Sequence, residues 1–455
     1  MSTQTVNRTR PKAISRSRVV AIFLLGIFMG ALDHGIVGPA LSSILNSFEV
    51  GASWGVWSFT IYTLLFAVSI PVMGKLSDRF GRKRTFMSGI TLFAVGSVIA
   101  ALAPNFGMFL LGRAIQAIGS GGIFPITAAQ IAASYPPEKR GKALGWIGVC
   151  FGIGTIMGPL VGGLIISFAE WQWIFLINVP IALVILLFIS RYRSEQETSK
   201  KTIDGFGIAA LSLLIASMML AITEKSLWLA LIAIVLLPIL IMVERKQADP
   251  IVKLSYFTKS STLLLLIASL ASGFVMATAI NMLPYYAETL LDIHKGNSGL
   301  TVMPMAVASM VASLLAGYMS DRIGAKRVLL VGFVITLIGA AALALGTESL
   351  PLFVLTILIM GFGVGIVIGA PLNVMVLQAV GMQEMGAAVG YLSLLRSIGS
   401  TLGPTLAGQL LLSTDDGFAY LYVISAAVSV ASLVLVSMWS SRAKTASVGA
   451  LQKST

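Results

Sequence analysis

The chain runs again and again through long apolar stretches that carry almost no charge. A helix needs roughly 20 apolar residues to cross about 30 Å of hydrocarbon. By that measure fourteen spans stand out, at 19–41, 53–73, 85–102, 107–133, 142–168, 172–190, 205–222, 226–243, 261–286, 301–319, 328–346, 352–378, 387–411 and 418–439. Such a pattern demands a bilayer as solvent, where only helices and closed barrels satisfy their own backbone. Runs of this length predict helices. The composition agrees: 57 % of 455 residues are hydrophobic and 11 % charged, against about 25 % charged in soluble proteins. A disordered chain, a secreted disulfide scaffold and an ordinary cytosolic enzyme are excluded. The single cysteine, Cys150, lies in an apolar stretch and reads as a buried, inert thiol. The basic N-tail enters a run too long for a signal-peptide core, so the first span is read as retained.

The net charge of +13 would suggest nucleic acid in a soluble protein. Here it records orientation. Of 31 Lys and Arg, 27 fall in the two tails and on alternate loops, Lys225 and Lys295 fall on the opposite loops, and Arg113 and Arg396 lie inside spans. Lys/Arg-rich segments stay cytoplasmic. The census therefore predicts an even number of spans in the plasma membrane, with both termini in the cytoplasm. The loop 379–386 carries no Lys or Arg and adds nothing to this. The pair 205–222 and 226–243 could be removed without changing any other side. Its short connection through Glu224 and Lys225 predicts a spanning hairpin; the alternative is a hairpin lying in the interface, which needs a more amphipathic pattern.

An internal repeat organises the rest. Gly74–Arg84 reads GKLSDRFGRKR, and Gly317–Arg327 reads GYMSDRIGAKR, 243 positions later. Gly154–Gly163 carries GxxxGPxxGG, and Gly399–Gly408 carries GxxxGPxxAG, 245 positions later. Two unrelated patterns repeating at nearly one distance imply duplicated six-helix halves, with the hairpin inserted between them. The expected divisions are a tail (1–18), a six-helix bundle (19–190), a linker (191–204), the hairpin (205–243), a linker (244–260), a second six-helix bundle (261–439) and a tail (440–455). Similar helical halves with a site between them are a transporter plan.

With these motifs the sequence resembles the major facilitator superfamily, and within it the 14-helix drug:proton antiporters, including tetracycline-type efflux proteins. GKLSDRFGRKR is similar to the signature between helices two and three. Gly154, Gly158, Pro159, Gly162 and Gly163 are similar to the helix-five antiporter signature. Gly112, Arg113, Gln116 and Gly119 match the helix-four signature, and Leu32–Leu41 the helix-one motif, with His34 where the group carries a Thr-like residue. The resemblance implies an all-α major facilitator fold, a proton gradient instead of a cofactor, and export of small amphipathic drugs. It also implicates Arg113 in proton coupling. An amphiphile flippase or a metabolite exporter on the same fold is the alternative.

Asp33 is the only acid well inside a span. A carboxylate there costs about 2.5–3.5 kcal/mol on insertion scales. It either takes up the transported proton or makes a structural ion pair. Arg113 has no acid one turn on, so its partner is on another helix or is the substrate. Gln116 shares its face. His34 points about 100° from Asp33 and is either titratable or hydrogen-bonded between helices. Arg396 either lines the cavity or pairs structurally. Glu288 reads as a mouth residue or part of an exit path. Gly74, Asp78, Arg79, Gly81 and Arg82, repeated in part as Asp321, Arg322 and Gly324, read as a latch between conformations. The helix-five glycines read as close packing at a pivoting interface. No P-loop, HExxH or nucleophile elbow is present, and His34 and His294 are too few and far apart for a metal. The expected partners are the substrate, protons and lipid, with no nucleic acid, and the expected state is a monomer.

Overall fold

The computed structural model describes residues 16–50, 52–192, 205–224, 226–247, 250, 252–291, 303–347, 349–380, 384–414 and 416–439. Every regular element among them is a helix. The first half comprises α1 (Arg16–Ser47), α2 (Ala52–Phe80), α3 (Arg82–Ala101), α4 (Phe106–Ser120), α5 (Ile123–Ser134), α6 (Arg140–Phe168), α7 (Trp173–Leu176) and α8 (Asn178–Ser190). The hairpin is α9 (Gly205–Thr223) and α10 (Leu227–Lys246). A short α11 (Ser255–Thr258) leads to α12 (Ser260–Leu290), α13 (Met303–Ile323), α14 (Ala325–Ala344), α15 (Leu350–Ile368), α16 (Ala370–Ala379), α17 (Met385–Ser413) and α18 (Gly417–Met438). Among the described residues, thirteen spans are long and apolar enough to cross a membrane. The 29-residue α17 occupies the remaining position of the fourteen.

Three of the expected continuous spans are broken, one of them, the sixth, at Ile177 between α7 and α8. The fourth divides into α4 and α5 at Gly121–Gly122, and the twelfth into α15 and α16 at Gly369. A methyl group on Gly121 would strike the Phe66 carbonyl and the Ser69 hydroxyl of α2. The break is where one helix closes onto another. Two further glycines have a conformational reason. Gly81 (φ 91°) and Gly324 (φ 93°) turn the chain between consecutive helices in the left-handed region, which strains a residue with a Cβ.

Packing follows the repeat. In the first half α1 lies on α6, and α3 on α4 and α8. In the second α12 lies on α17, and α14 on α15 and α18. The halves meet where α2 packs on α17 and α6 on α13. The hairpin helix α9 packs on both α2 and α17, so Leu211 and Ile215 share a core with Leu64 and Leu394. Large apolar side chains, among them Leu187, Ile234, Val235 and Ile338, are exposed on the outside. In water such a surface would aggregate, whereas in a bilayer it is the lipid face.

Candidate functional site

Asp33 is fully buried in the first half, held by three donors from two other helices. Arg113 Nη1 of α4 donates to Oδ2 at 3.0 Å. Gln116 Nε2 of α4 and Asn178 Nδ2 of α8 each donate to Oδ1 at 2.8 Å. Gln116 also accepts from Arg113 Nη1 (2.6 Å) and donates to the Ser97 hydroxyl of α3 (2.8 Å). The partner of Arg113 is therefore Asp33, on another helix, and Gln116 shares its cluster as the three-residue spacing implied. The Arg113 guanidinium also stacks on the Tyr62 ring, 4.2 Å from its centroid. Two donors on Oδ1 and one on Oδ2 thus hold the Asp33 carboxyl group between three helices.

Between the halves lies a cavity of about 220 Å³. His34, Tyr62, Phe66, Phe124 and Phe151 line it from the first half, and Asn373 and Arg396 from the second. Asp33, Arg113 and Gln116 do not line it. They sit behind its wall, and the Tyr62 ring lies between Arg113 and the cavity. The structure thus brings these three together outside the cavity lining. The cause is rotation along α1, which turns His34 into the open space and Asp33 into the bundle. Arg396 reaches the cavity with its guanidinium carbon 5.6 Å from the Phe124 ring centre. The side chain of Glu288 lies outside the described residues.

The repeated loop motif closes one end of the molecule by two mirrored contacts. Asp78, near the end of α2, accepts from the backbone N–H of Gly386 (3.2 Å) and Ala387 (3.0 Å), in the first turn of α17. Asp321, near the end of α13, accepts from Gly141 and Lys142 (2.7 Å each), in the first turn of α6. Each carboxylate thus caps a helix of the opposite half, where an anion is favoured by the helix dipole. Gly74 and Gly317 allow the approach. A methyl on Gly74 would sit 3.0 Å from the Gly386 carbonyl oxygen, and one on Gly317 would strike that of Gly141. Arg82 is buried within electrostatic reach of Asp78. Arg79 stacks on Phe80, and Arg322 on Tyr318.

The helix-five motif works inside one half. Methyl groups on Gly154, Gly158 and Gly162 would all strike α1, at Ala31, Gly35 and Ile36. Gly163 faces open space, and the side chain of Pro159 lies outside the described residues. The contact between halves is made by a different row on α6, where Gly141, Gly145, Gly148 and Gly152 meet α13. The expected pivot is therefore displaced by half a helix turn from the motif.

Sequence reasoning missed several of these residues. Asn178 and Asn373 are isolated amides inside apolar spans, a signal as readable as that of Asp33. Tyr62 and Ser97 carry no comparable signal. Lys83, in the repeated loop motif, is another of those missed. Its Nζ donates to the carbonyls of Ser190 (2.8 Å) and Tyr192, just at and beyond the end of α8. Lys326, at the equivalent repeat position, donates to those of Ser437 (2.6 Å) and Trp439 (2.7 Å) at the end of α18. The apparently empty loop at 379–386 also has a role. Glu384 pairs with Lys253 and accepts from the Tyr256 hydroxyl (2.7 Å), both from the segment after the hairpin. Burial pushes the Glu384 carboxyl up, but these two donors outweigh it and hold it below the usual range.

Residues 23–404, and overlapping them 265–454, match the family model described as Major Facilitator Superfamily. The chain is 37 % identical over 411 residues to an uncharacterized MFS-type transporter, YfiU, of Bacillus subtilis, covering 86 % of this chain and 79 % of that one. It is 32 % identical over 425 residues to multidrug resistance protein 3 of the same organism, covering 89 % and 81 %. In fold it is similar to the human organic anion transporter MFSD10 (TETRAN), with a TM-score of 0.73 at 17 % identity over 94 % of this chain and all of that one.

Proposed function

The chain belongs to the major facilitator superfamily, and from that membership we propose that it is a proton-coupled antiporter exporting small amphipathic molecules by alternating access. It is a multi-pass membrane transporter with multidrug-type relatives and not an enzyme. In the proposed arrangement it sits in the plasma membrane as a monomer with its Lys/Arg-rich end and both termini in the cytoplasm. It draws on the proton gradient and needs no cofactor.

The observation that carries this reading is the buried Asp33, satisfied by Arg113, Gln116 and Asn178 one wall away from a cavity between the halves. Breaking a buried pair is costly, about 3–5 kcal/mol when one partner is lost. A proton arriving on Asp33 neutralises one member and frees Arg113, so the two charge states of the cluster favour different packings. The closed basic end, capped by Asp78 and Asp321, then corresponds to the outward-facing stage. A proton from outside enters through the cavity, substrate leaves, and the protonated cluster favours release of the two caps. The cavity then opens inward, the proton departs, and a new substrate molecule binds among the aromatic side chains.

The test is substrate uptake into everted vesicles driven by an imposed pH gradient. Asp33→Asn is expected to abolish accumulation against a gradient while leaving downhill movement measurable. Uphill accumulation at the parental rate in that variant removes Asp33 from the mechanism.

A further inference from the structure

The charges around the cavity do not balance. Asp33 and Arg113 neutralise each other behind the wall. Among the described residues lining the cavity there is no Asp or Glu, and Arg396 is the only Lys or Arg. Two of its guanidinium nitrogens, Nε and Nη2, are buried with no hydrogen-bond partner. That pair forms one edge of the guanidinium, the edge that receives a carboxylate through two parallel hydrogen bonds. Asn373, on the same wall, leaves its buried Oδ1 without a partner as well. The remaining contacts offered are aromatic faces, Phe66, Phe124 and Phe151. An unpaired cation next to a cavity is expensive unless something arrives to pair with it.

We propose that Arg396 is a specificity residue that selects planar amphipathic substrates bearing an acidic group, a carboxylate or an ionised phenol, over cationic ones. The proposal rests on the reading of this cavity as the substrate site. The anion sits on the free guanidinium edge, and the aromatic body lies among the phenylalanine rings. A cation in the same cavity meets Arg396 as a like charge in a low-dielectric space, with no acid lining it in compensation. The neutral Asp33–Arg113 pair leaves that balance unchanged.

The test uses two dyes with one xanthene scaffold, fluorescein as the anion and a rhodamine methyl ester as the cation. Their binding to the purified full-length protein in detergent is followed by fluorescence anisotropy. The parent is expected to bind fluorescein more tightly than the rhodamine ester. Arg396→Gln is expected to weaken fluorescein about ten- to hundred-fold, the worth of a hydrogen bond to a charged group, and not to weaken the rhodamine ester. Arg396→Lys, which keeps the charge but not the fork, is expected to fall between, and gel filtration checks that both variants stay monodisperse. Fluorescein binding within two-fold of the parent in Arg396→Gln overturns the proposal. So does a parent that binds only the rhodamine ester, or neither dye. No proton gradient enters this measurement. A failure of Asp33→Asn to affect uphill transport would therefore defeat the antiporter reading and leave the charge preference standing, and the converse holds as well.

Discussion

Asn178 shows how much a single amide can carry in this molecule. It reaches Asp33 from α8, while Arg113 and Gln116 reach it from α4, so the carboxylate ties three helices together. A hydrogen bond to a charged group is worth about 1.5–3 kcal/mol. Asn178→Ala is expected to lower the thermal unfolding temperature of the detergent-solubilised protein and to slow pH-driven uptake. Unfolding and uptake both at the parental level would mean that Gln116 and Arg113 suffice. Asp33 and Arg113 were legible in the sequence because charge in hydrocarbon is too costly to be incidental. Which of the two neighbours on α1, Asp33 or His34, meets the cavity was not legible. That depends on the rotation of α1 against α6, fixed by the contacts of Gly154, Gly158 and Gly162.

At the scale of elements, the mirrored caps are the main finding. Asp78 holds the first turn of α17 and Asp321 the first turn of α6, 243 positions apart in sequence and on opposite halves. An anion at a helix N-terminus is worth up to about 2 kcal/mol in partly buried geometry. Asp78→Asn and Asp321→Asn are each expected to shift the closed population of the basic end by about 5- to 30-fold. The shift is read as faster maleimide labelling of a cysteine introduced at that end in a Cys150→Ser background. Unchanged labelling in both variants would reduce the caps to ordinary surface contacts. The repeat made both aspartates legible as a pair, but not their partners, because backbone N–H groups leave no mark in a sequence. The same limit hid the breaks at Gly121–Gly122 and Gly369, where apolar composition runs on unbroken through the bend.

At the scale of the whole molecule, the proposed cycle joins two sites. The Asp33 cluster lies within the first half, and the caps lie across the seam between the halves at the basic end. The hairpin helix α9 spans that seam by packing on α2 and α17. The segment after it reaches the same end, where Lys253 and Tyr256 hold Glu384 and Lys75 Nζ donates to the Pro250 carbonyl (3.1 Å). The fourteen-helix plan and the duplication were readable from apolar length and repeated motifs alone. The coupling between cluster and caps is a property of the assembled halves. It is tested most directly by spin-label distances across the basic end, with labels at the exposed positions Arg84→Cys and Arg327→Cys in the Cys150→Ser background. Acidification is expected to lengthen this distance in the parent, and Asp33→Asn to favour the long distance with no pH-dependent shift. A variant that keeps the parental pH-dependent shift would contradict that coupling.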